Sequence, residues 1–199
     1  MKNSENKILA LKYRPQSFKD LIGQEVLSKT ITNAIKIGKT PNAYLLTGIS
    51  GVGKTTTARI LAKVLNCNDP VENNPCGTCI NCTEITRGSS LDVQELDGAS
   101  NRGIDEMRDL REAVKYPPNN SKYRIYIIDE VHMLTREAFN ALLKTLEEPP
   151  PHVIFIMATT DAHKVPATIL SRTQRFDFKH ISINDISEYL KQILESENI

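Results

Sequence analysis

A glycine-rich segment that ends in Lys54-Thr55 lies between an apolar run, 43–47, and a helical pattern, 55–66. Its sequence is Gly48-Ile49-Ser50-Gly51-Val52-Gly53-Lys54-Thr55. In such a strand–loop–helix unit, glycines let successive backbone N–H groups wrap an anion, and the helix N-terminus adds partial positive charge. The alternative is a glycine-rich turn that binds nothing, but Gly-Lys-Thr at the helix start disfavours it. The sequence therefore predicts a phosphate-binding loop on an α/β scaffold.

The two residues that close this loop suit a nucleoside triphosphate bound with Mg²⁺. The Lys54 ammonium can reach the β- and γ-phosphates, and the Thr55 hydroxyl can ligate the ion. No Asn-Lys-x-Asp motif, which would read guanine, occurs in the chain, so ATP is the expected nucleotide. The predicted nucleotide contacts in and beside the loop are Gly48, Ser50, Gly51, Val52, Gly53, Lys54, Thr55 and Thr56.

Apolar, β-rich runs alternate with helical patterns along the chain. The runs 124–129 and 153–160 are continuously apolar, as in strands covered on both faces. Strands that alternate with helices predict an α/β fold with a parallel sheet and right-handed crossovers. The predicted strands are 43–47, 91–96, 124–129, 153–160 and 175–178, and the predicted helices include 55–66, 102–115 and 135–148, the last with Thr135 as N-cap.

Two carboxylates follow the third of these strands. Asp129 is suited to hold Mg²⁺ through its hydration shell, and Glu130 to orient or deprotonate an attacking water. For an isolated Asp-Glu pair the alternative is a solvated strand edge. Thr159 and Thr160 end the next strand, where small hydroxyls could sense a γ-phosphate, although threonine is common in strands. His132 is interpreted as a helix-entry residue rather than a catalyst.

All four cysteines of the chain fall within 67–82, with the spacing C-x8-C-x2-C-x2-C. Four thiolates can close a tetrahedral metal site with no open position. Disulfides are disfavoured in a reducing cytosol. Structural zinc is the favoured interpretation, and an iron–sulfur cluster or loose reduced cysteines are the alternatives. The predicted ligands are Cys67, Cys76, Cys79 and Cys82.

Charge and length limit the remaining classes. The 199 residues carry 25 Lys and Arg against 24 Asp and Glu, so no global field drives the chain onto nucleic acid or an anionic membrane. The longest apolar run, 153–158, is far shorter than the roughly 20 residues of a membrane helix, and a cytoplasmic protein is expected.

A core unit is predicted over 1–180. A further helix over 181–199 has an apolar face that implies a missing partner, so we interpret the chain as an N-terminal fragment.

Taken together, these motifs resemble the N-terminal region of the bacterial DNA polymerase III gamma/tau family, the AAA+ ATPases of the replicative clamp loader. The resemblance runs nearly from end to end, and the four-cysteine insertion separates this family from most other AAA+ proteins. It is carried by Lys12-Tyr13-Arg14-Pro15 with Phe18, Ile22-Gly23-Gln24-Glu25, the phosphate loop, the cysteines, Asp129-Glu130-Val131-His132, 140–150, Ala158-Thr159-Thr160-Asp161 and Leu170-Ser171-Arg172.

The resemblance implies a three-layer AAA+ fold with a five-stranded parallel sheet, an inserted zinc knuckle and the start of a helical lid domain at 181–199. It implies that Thr160 is the first sensor and that Arg172 is an arginine finger acting in trans on the site of a neighbouring subunit. Thr173 stands where the family usually has Cys. The implied adenine contacts are Tyr13, Arg14, Pro15 and Ile22, and the implied DNA contacts are Arg102, Arg108 and Thr168.

The expected function is that of an ATP hydrolase within the DNA polymerase III complex. Binding and hydrolysis of Mg·ATP would drive loading of the sliding clamp on primed DNA. The implied partners are clamp-loader subunits of the delta and delta-prime type, the clamp and primer–template DNA, with no membrane. The isolated fragment is expected to be monomeric and nearly inactive. Two alternatives stay open: a nucleotide-binding scaffold without significant hydrolysis, and a AAA+ DNA translocase.

Overall fold

The structure, a computed structural model, describes residues 8–197. Its centre is a five-stranded sheet in which every described pairing is parallel, with the strand order β2-β3-β4-β1-β5. This confirms the α/β fold with a five-stranded parallel sheet. The strands are β1 (Ala43–Thr47), β2 (Val93–Asp97), β3 (Arg124–Asp129), β4 (Val153–Thr159) and β5 (Gln174–Asp177).

Helices connect the strands, and three of the four strand-to-strand links contain helices predicted from the sequence pattern. Thr135 caps the helix Arg136–Glu147 as predicted, because its hydroxyl accepts a hydrogen bond from the Ala138 N–H at 3.2 Å. The helices are α1 (Leu9–Lys12), α2 (Glu25–Lys36), α3 (Lys54–Asn66), α4 (Ile80–Arg87), α5 (Ile104–Ala113), α6 (Arg136–Glu147), α7 (Ala167–Leu170) and α8 (Ile183–Glu197). Helices α1, α2, α4 and α7 were not predicted.

The sheet is covered on both faces, which gives three layers. Along β3, Ile125 and Ile127 pack with the apolar side chains of α2 and α3, whereas Tyr126 and Ile128 pack with those of α5 and α6. This alternation follows from the two-residue period of a strand. For this reason β1 and β4 are buried at every residue and β3 at its four inner residues, whereas edge strand β2 is mostly exposed.

The carboxyl ends of three strands meet at one edge of the sheet. Thr47 of β1 pairs with Thr159 of β4, and Ile128 of β3 pairs with Met157 of β4. The glycine-rich loop after β1, the carboxylates after β3 and the threonines that end β4 are therefore neighbours. In open parallel sheets this edge is where ligands bind.

The predicted division at residue 180 stays a prediction, and residues 1–7 and 198–199 of the predicted units lie outside the described chain. Helix α8 follows β5 after a short link and has no buried side chain. It still contacts the N-terminal segment, since the Tyr189 hydroxyl donates to the Tyr13 carbonyl at 2.7 Å. Within residues 8–197, no helix combines the length and the apolar character needed to cross a membrane.

Candidate nucleotide site and cysteine centre

The glycine-rich loop passes directly from β1 into α3. Gly51 and Gly53 have φ values of 82° and 99°, in the left-handed region that a residue with a Cβ rarely adopts. Gly53 is also the N-cap of α3, and its carbonyl accepts the Thr57 N–H at 2.8 Å as the helix begins. The first N–H groups of α3 have no intrahelical partner, so this helix start can receive an anion.

Lys54 lies under the loop and is buried, with 6% of its surface exposed. Its ammonium donates to the carbonyls of Gly48 and Ile49 at 2.8 Å each. Burial lowers the pKa of Lys54, and the carboxylates of Glu130 and Asp129 oppose that shift because they favour the charged form. The Lys54 ammonium is therefore held beside the loop as a positively charged hydrogen-bond donor, where a bound phosphate can reach it.

The side chains of Thr55 and Asp129 bring two oxygen donors together. The Thr55 hydroxyl donates to Asp129 Oδ2 at 2.5 Å, and Asp129 Oδ1 accepts the Glu130 N–H at 2.9 Å. A hydroxyl and a carboxylate are hard oxygen donors of the kind that Mg²⁺ uses with substrate phosphates and water. The two side chains that the sequence predicts as magnesium ligands are thus in direct contact.

Glu130 follows β3 in a left-handed conformation, with φ 46°. Its Oε2 accepts two hydrogen bonds from Thr160, one from the backbone N–H at 3.1 Å and one from the hydroxyl at 2.9 Å. The residue predicted to act on water and the residue predicted as first sensor are therefore joined. The contact forms because β3 and β4 are neighbours in the sheet.

His132 is the second residue of a short 3₁₀ helix, Val131–Met133, so its predicted position at a helix entry agrees with the structure. Its ring also reaches the site. Nδ1 lies 2.9 Å from the Thr159 hydroxyl and 3.3 Å from Glu130 Oε2. This contact was not predicted from the sequence, where its only signal is a histidine two residues after Glu130.

A mainly apolar cavity of about 270 Å³ opens beside the glycine-rich loop. Of the four predicted adenine contacts, Pro15 and Ile22 line it, while Tyr13 and Arg14 do not. Helix α8 forms another wall, which was not predicted from the sequence. The remaining lining residues are Leu21, Gly51, Val52, Gly53, Thr56, Ile181, Ile186, Tyr189 and Leu190. The apolar face that was predicted to need a partner thus contributes part of this cavity.

The four cysteines converge between α3 and α4. Cys67 ends α3 and Cys79 is the N-cap of α4, and all four Sγ atoms lie within 4.8 Å of one another. The Cys67 and Cys76 sulfurs accept backbone N–H groups of Cys76 and Cys79, each at 3.3 Å. Gly77 supplies the left-handed turn between them, with φ 76°. The sequence alone predicted this clustering.

The chemistry of this centre fits a tetrahedral metal ion. At a zinc–sulfur distance of about 2.3 Å, tetrahedral thiolates lie roughly 3.8 Å apart, and the Cys67 and Cys79 sulfurs are separated by 4.0 Å. N–H groups of Cys79 and Thr78 lower the pKa of Cys76 to about 6. Burial raises the pKa of Cys67 and of Cys82. A bound cation would favour the thiolate of all four.

The predicted finger and DNA contacts are distributed over α5, α7 and the loops beside them. Arg172 follows α7 and donates to Glu147 Oε1 and to the Thr168 carbonyl, both at 2.7 Å. Arg102 donates to the Met133 carbonyl at 3.1 Å, and Arg108 pairs with Asp105 at 3.1 Å on the exposed side of α5. Thr168 is exposed. Hydrogen bonds within residues 8–197 join none of the three predicted DNA residues to another.

Sequence comparison relates the chain to subunits of DNA polymerase III. The family described as DNA polymerase III, delta subunit, matches residues 23–182. DNA polymerase III subunit tau of Bacillus subtilis is 52% identical over 187 residues, which are 94% of this chain and 33% of that protein. DNA polymerase III subunit gamma of Buchnera aphidicola from Acyrthosiphon pisum is 50% identical over 192 residues, or 96% of this chain and 53% of that protein. The chain therefore spans about a third to a half of these relatives.

Structural comparison gives the same fold. A crystal structure of a DNA polymerase III gamma subunit-related protein from Thermotoga maritima matches with a TM-score of 0.53 at 23% identity, over 87% of this chain and 54% of that one. The RuvB Holliday junction branch migration motor of the same organism matches with a TM-score of 0.64 at 18% identity, over 94% and 55%. At these identities the likeness shows the fold alone, which is that of AAA+ proteins.

Proposed function

Because the chain belongs to the DNA polymerase III delta-subunit family and resembles bacterial tau and gamma subunits, we propose that it is the ATPase unit of a replicative clamp loader. The resemblance inferred from the motifs is confirmed by these relatives. One observation supports hydrolysis most directly: Lys54, the Thr55–Asp129 pair and Glu130 share one edge of the sheet. A binding scaffold would need no residue placed to act on water.

In the proposed reaction, each of these residues has one task. The loop N–H groups and Lys54 hold the phosphates, while Thr55 and Asp129 would hold Mg²⁺, which when bound offsets the negative charge of the phosphates. Glu130 orients water and accepts its proton as the water oxygen bonds to the γ-phosphorus. The bond to the β–γ bridging oxygen breaks, and ADP leaves with that electron pair. Thr160 holds the Glu130 carboxylate.

The same proposal assigns the adenine to the cavity between Pro15, Ile22 and α8. It assigns zinc to the four cysteines, where the ion would join the end of α3 to the start of α4. Arg172 would reach the γ-phosphate bound by a neighbouring subunit, supplying positive charge where the transition state spreads negative charge. A ring with delta- and delta-prime-type subunits would then act on the sliding clamp and primed DNA, with Arg102, Arg108 and Thr168 as proposed DNA contacts.

The scaffold alternative is separated from the ATPase by one substitution. We expect Glu130→Gln, introduced into the full-length protein within its assembled complex, to keep ATP binding and to abolish hydrolysis. Glu188→Gln, which alters an exposed carboxylate on α8, is the matched control and should leave both unchanged. Nucleotide titration and phosphate release, with and without primed DNA, measure the two properties. Turnover by Glu130→Gln at the rate of the unaltered protein would refute the assignment.

A further inference from the structure

We propose that His132 is a positioning residue for the hydrolytic reaction, because its imidazole fixes the orientation of the Glu130 carboxylate. This inference rests on the proposed function, because it assigns to His132 the task of holding Glu130, the residue proposed to act on water. His132 does not touch the predicted phosphate loop through any hydrogen bond among residues 8–197. Its effect would therefore pass through Glu130.

The two oxygens of the Glu130 carboxylate have different surroundings. Oε2 accepts two hydrogen bonds from Thr160, one from the N–H at 3.1 Å and one from the hydroxyl at 2.9 Å, and it lies 3.3 Å from His132 Nδ1, within ion-pair distance. No group within residues 8–197 hydrogen-bonds Oε1. A carboxylate held through one oxygen presents the other in a fixed direction, and Oε1 is thus the atom left to receive a water.

Two oxygens face Nδ1 of the His132 ring: the Thr159 hydroxyl at 2.9 Å and Glu130 Oε2 at 3.3 Å. A carboxylate oxygen carries no proton, so its approach to the ring is attractive when Nδ1 bears the ring proton. The Thr159 hydroxyl, 2.9 Å from Nδ1, already accepts the Asp161 N–H at 3.0 Å and can accept from the ring as well. With its proton on Nδ1, the ring donates to the Thr159 hydroxyl and holds the same N–H beside Glu130 Oε2.

The backbone delivers the imidazole to this position. Glu130 adopts φ 46°, and its carbonyl accepts the Met133 N–H at 2.9 Å, so the chain turns back at once after β3. Val131 is completely buried and anchors the turn in the core. The His132 side chain is left 10% exposed between the ends of β3 and β4, which restricts its rotation. A residue two positions after the glutamate thus faces that same carboxylate.

Three substitutions at position 132 distinguish a role of His132 in orienting Glu130 from a role in the stability of the fold. His132→Asn places an amide N–H close to the position of Nδ1, His132→Gln places it near Nε2, and His132→Leu removes it. We expect the Asn variant to keep kcat within about threefold. Misplacement of a reacting group by about 1 Å can cost roughly 100-fold, so the Gln and Leu variants should lose about 10- to 100-fold in kcat. The Kd for ATP should stay unchanged in all three.

The measurements are steady-state ATP hydrolysis by the assembled complex with full-length protein, nucleotide titration, and thermal unfolding of each variant. Unchanged kcat in His132→Gln and His132→Leu would overturn the inference, and so would an equal loss in the Asn variant or a loss confined to ATP affinity. If the Leu variant does not fold, the Asn and Gln variants alone decide. Normal hydrolysis by Glu130→Gln would instead refute the proposed function, so the two failures are distinguishable.

Discussion

The hydroxyl of Thr55 donates to the carboxylate of Asp129 across 2.5 Å, and this bond joins the start of α3 to the end of β3. It links two motifs that are 74 residues apart in the sequence. The shared edge of a parallel sheet makes the contact possible, because both side chains leave the carboxyl end of a strand or the helix that follows it. The proposed magnesium site depends on this pair.

Removal of the Thr55 hydroxyl should therefore weaken nucleotide binding only when Mg²⁺ is present. A hydrogen bond or ligand bond to a charged group contributes about 1.5–3 kcal/mol, so Thr55→Ala should lower the Mg²⁺-dependent affinity for ATP about 10- to 100-fold. Thr55→Ser keeps the hydroxyl and serves as the control. Titrations with a fluorescent ATP analogue, in Mg²⁺ and in EDTA, test this. An Ala variant with the full Mg²⁺ dependence would contradict the assignment.

Gly98 is packed directly against the peptide that carries the two carboxylates. Its N–H donates to the Asp129 carbonyl at 2.7 Å, and an added Cβ would lie 2.7 Å from the Glu130 carbonyl oxygen. Because backbone must move to admit that methyl group, Gly98→Ala should destabilise the protein by about 1–3 kcal/mol and reduce hydrolysis about 10-fold or more. The exposed neighbour provides the control Ala99→Ser. Urea unfolding and ATP hydrolysis measure the two effects. A Gly98→Ala variant with an unchanged free energy of unfolding and an unchanged hydrolysis rate would contradict this close packing.

Metal removal should act on the cysteine centre and on the segment beside it. The insertion holds the N-terminal segment, since Asn74 Oδ1 accepts the Phe18 N–H at 3.2 Å and Glu72 pairs with Lys19 at 2.6 Å. A loss of about 2 kcal/mol or more would lower Tm by about 4–8 °C in a chain of this size. Chelation should produce this drop and added Zn²⁺ should reverse it.

Cys79→Ser should reproduce the effect of the chelator, and Thr83→Ser on the same helix should not. Differential scanning fluorimetry and metal analysis of the same samples provide the test. A protein purified without metal that unfolds at the same temperature would show that the cysteines are not a structural centre.

Asp92 should make the fold sensitive to acid. It is buried and accepts the N–H groups of Asn119, Asn120 and Ser121 at 2.7, 2.9 and 3.0 Å, which fastens the segment before β3. Burial alone would raise the pKa of Asp92, but the bonds from Asn119, Asn120 and Ser121 together lower it. The stabilisation is therefore present above the ordinary carboxyl pKa of about 4 and is lost as the pH falls through the lower folded value.

Asp92→Asn should cost about 1–3 kcal/mol near pH 7, since an amide accepts these bonds less well. The difference from the unaltered protein should shrink as the pH falls below about 4 and through the lower folded pKa of Asp92, because protonation removes the charge that these bonds stabilise. Asp69→Asn is the control, on an exposed residue of the insertion. Denaturant unfolding from pH 3 to pH 7 measures the difference, and a gap that stays constant with pH would contradict the argument.

Arg172→Ala should lower hydrolysis in the assembled ring by about 10³-fold or more while leaving ATP binding by the subunit intact. The reason is that the arginine would act on a nucleotide held by the neighbouring subunit. Arg175→Ala is a matched control, because Arg175 pairs with Asp177 at 2.7 Å in the same part of the chain. Equal losses in the ring and in the isolated subunit would show that Arg172 acts within its own chain.

Much of the site could be predicted because each motif marks the end of a strand. Thr55, Asp129 and Glu130 were placed correctly relative to strands and helices by local pattern alone. The contact between Glu130 and Thr160 was not predictable in this way, because it requires β3 and β4 to be neighbours in the sheet. The hydrophobic periodicity of single segments does not determine the order of strands. The position of the His132 ring depends in addition on the left-handed backbone at Glu130.

The elements that were missed have weak local signals. Helix α2 buries Leu27 and Ile31 among mostly polar residues, so its apolar stripe is thin. Helix α4 buries Cys82 and Ile85, and the cysteine there was interpreted only as a ligand. Strand β2 starts two residues later than predicted, because Leu91 is 71% exposed and Asp92 anchors a loop.

The cavity beside the phosphate loop is walled by Pro15 and Ile22 on one side and by Ile186 and Leu190 of α8 on the other. Were a base to sit there, a single small molecule would bridge parts of the chain more than 160 positions apart. The position of Ile186 and Leu190 relative to Pro15 and Ile22 would then depend on whether a base fills the space between them.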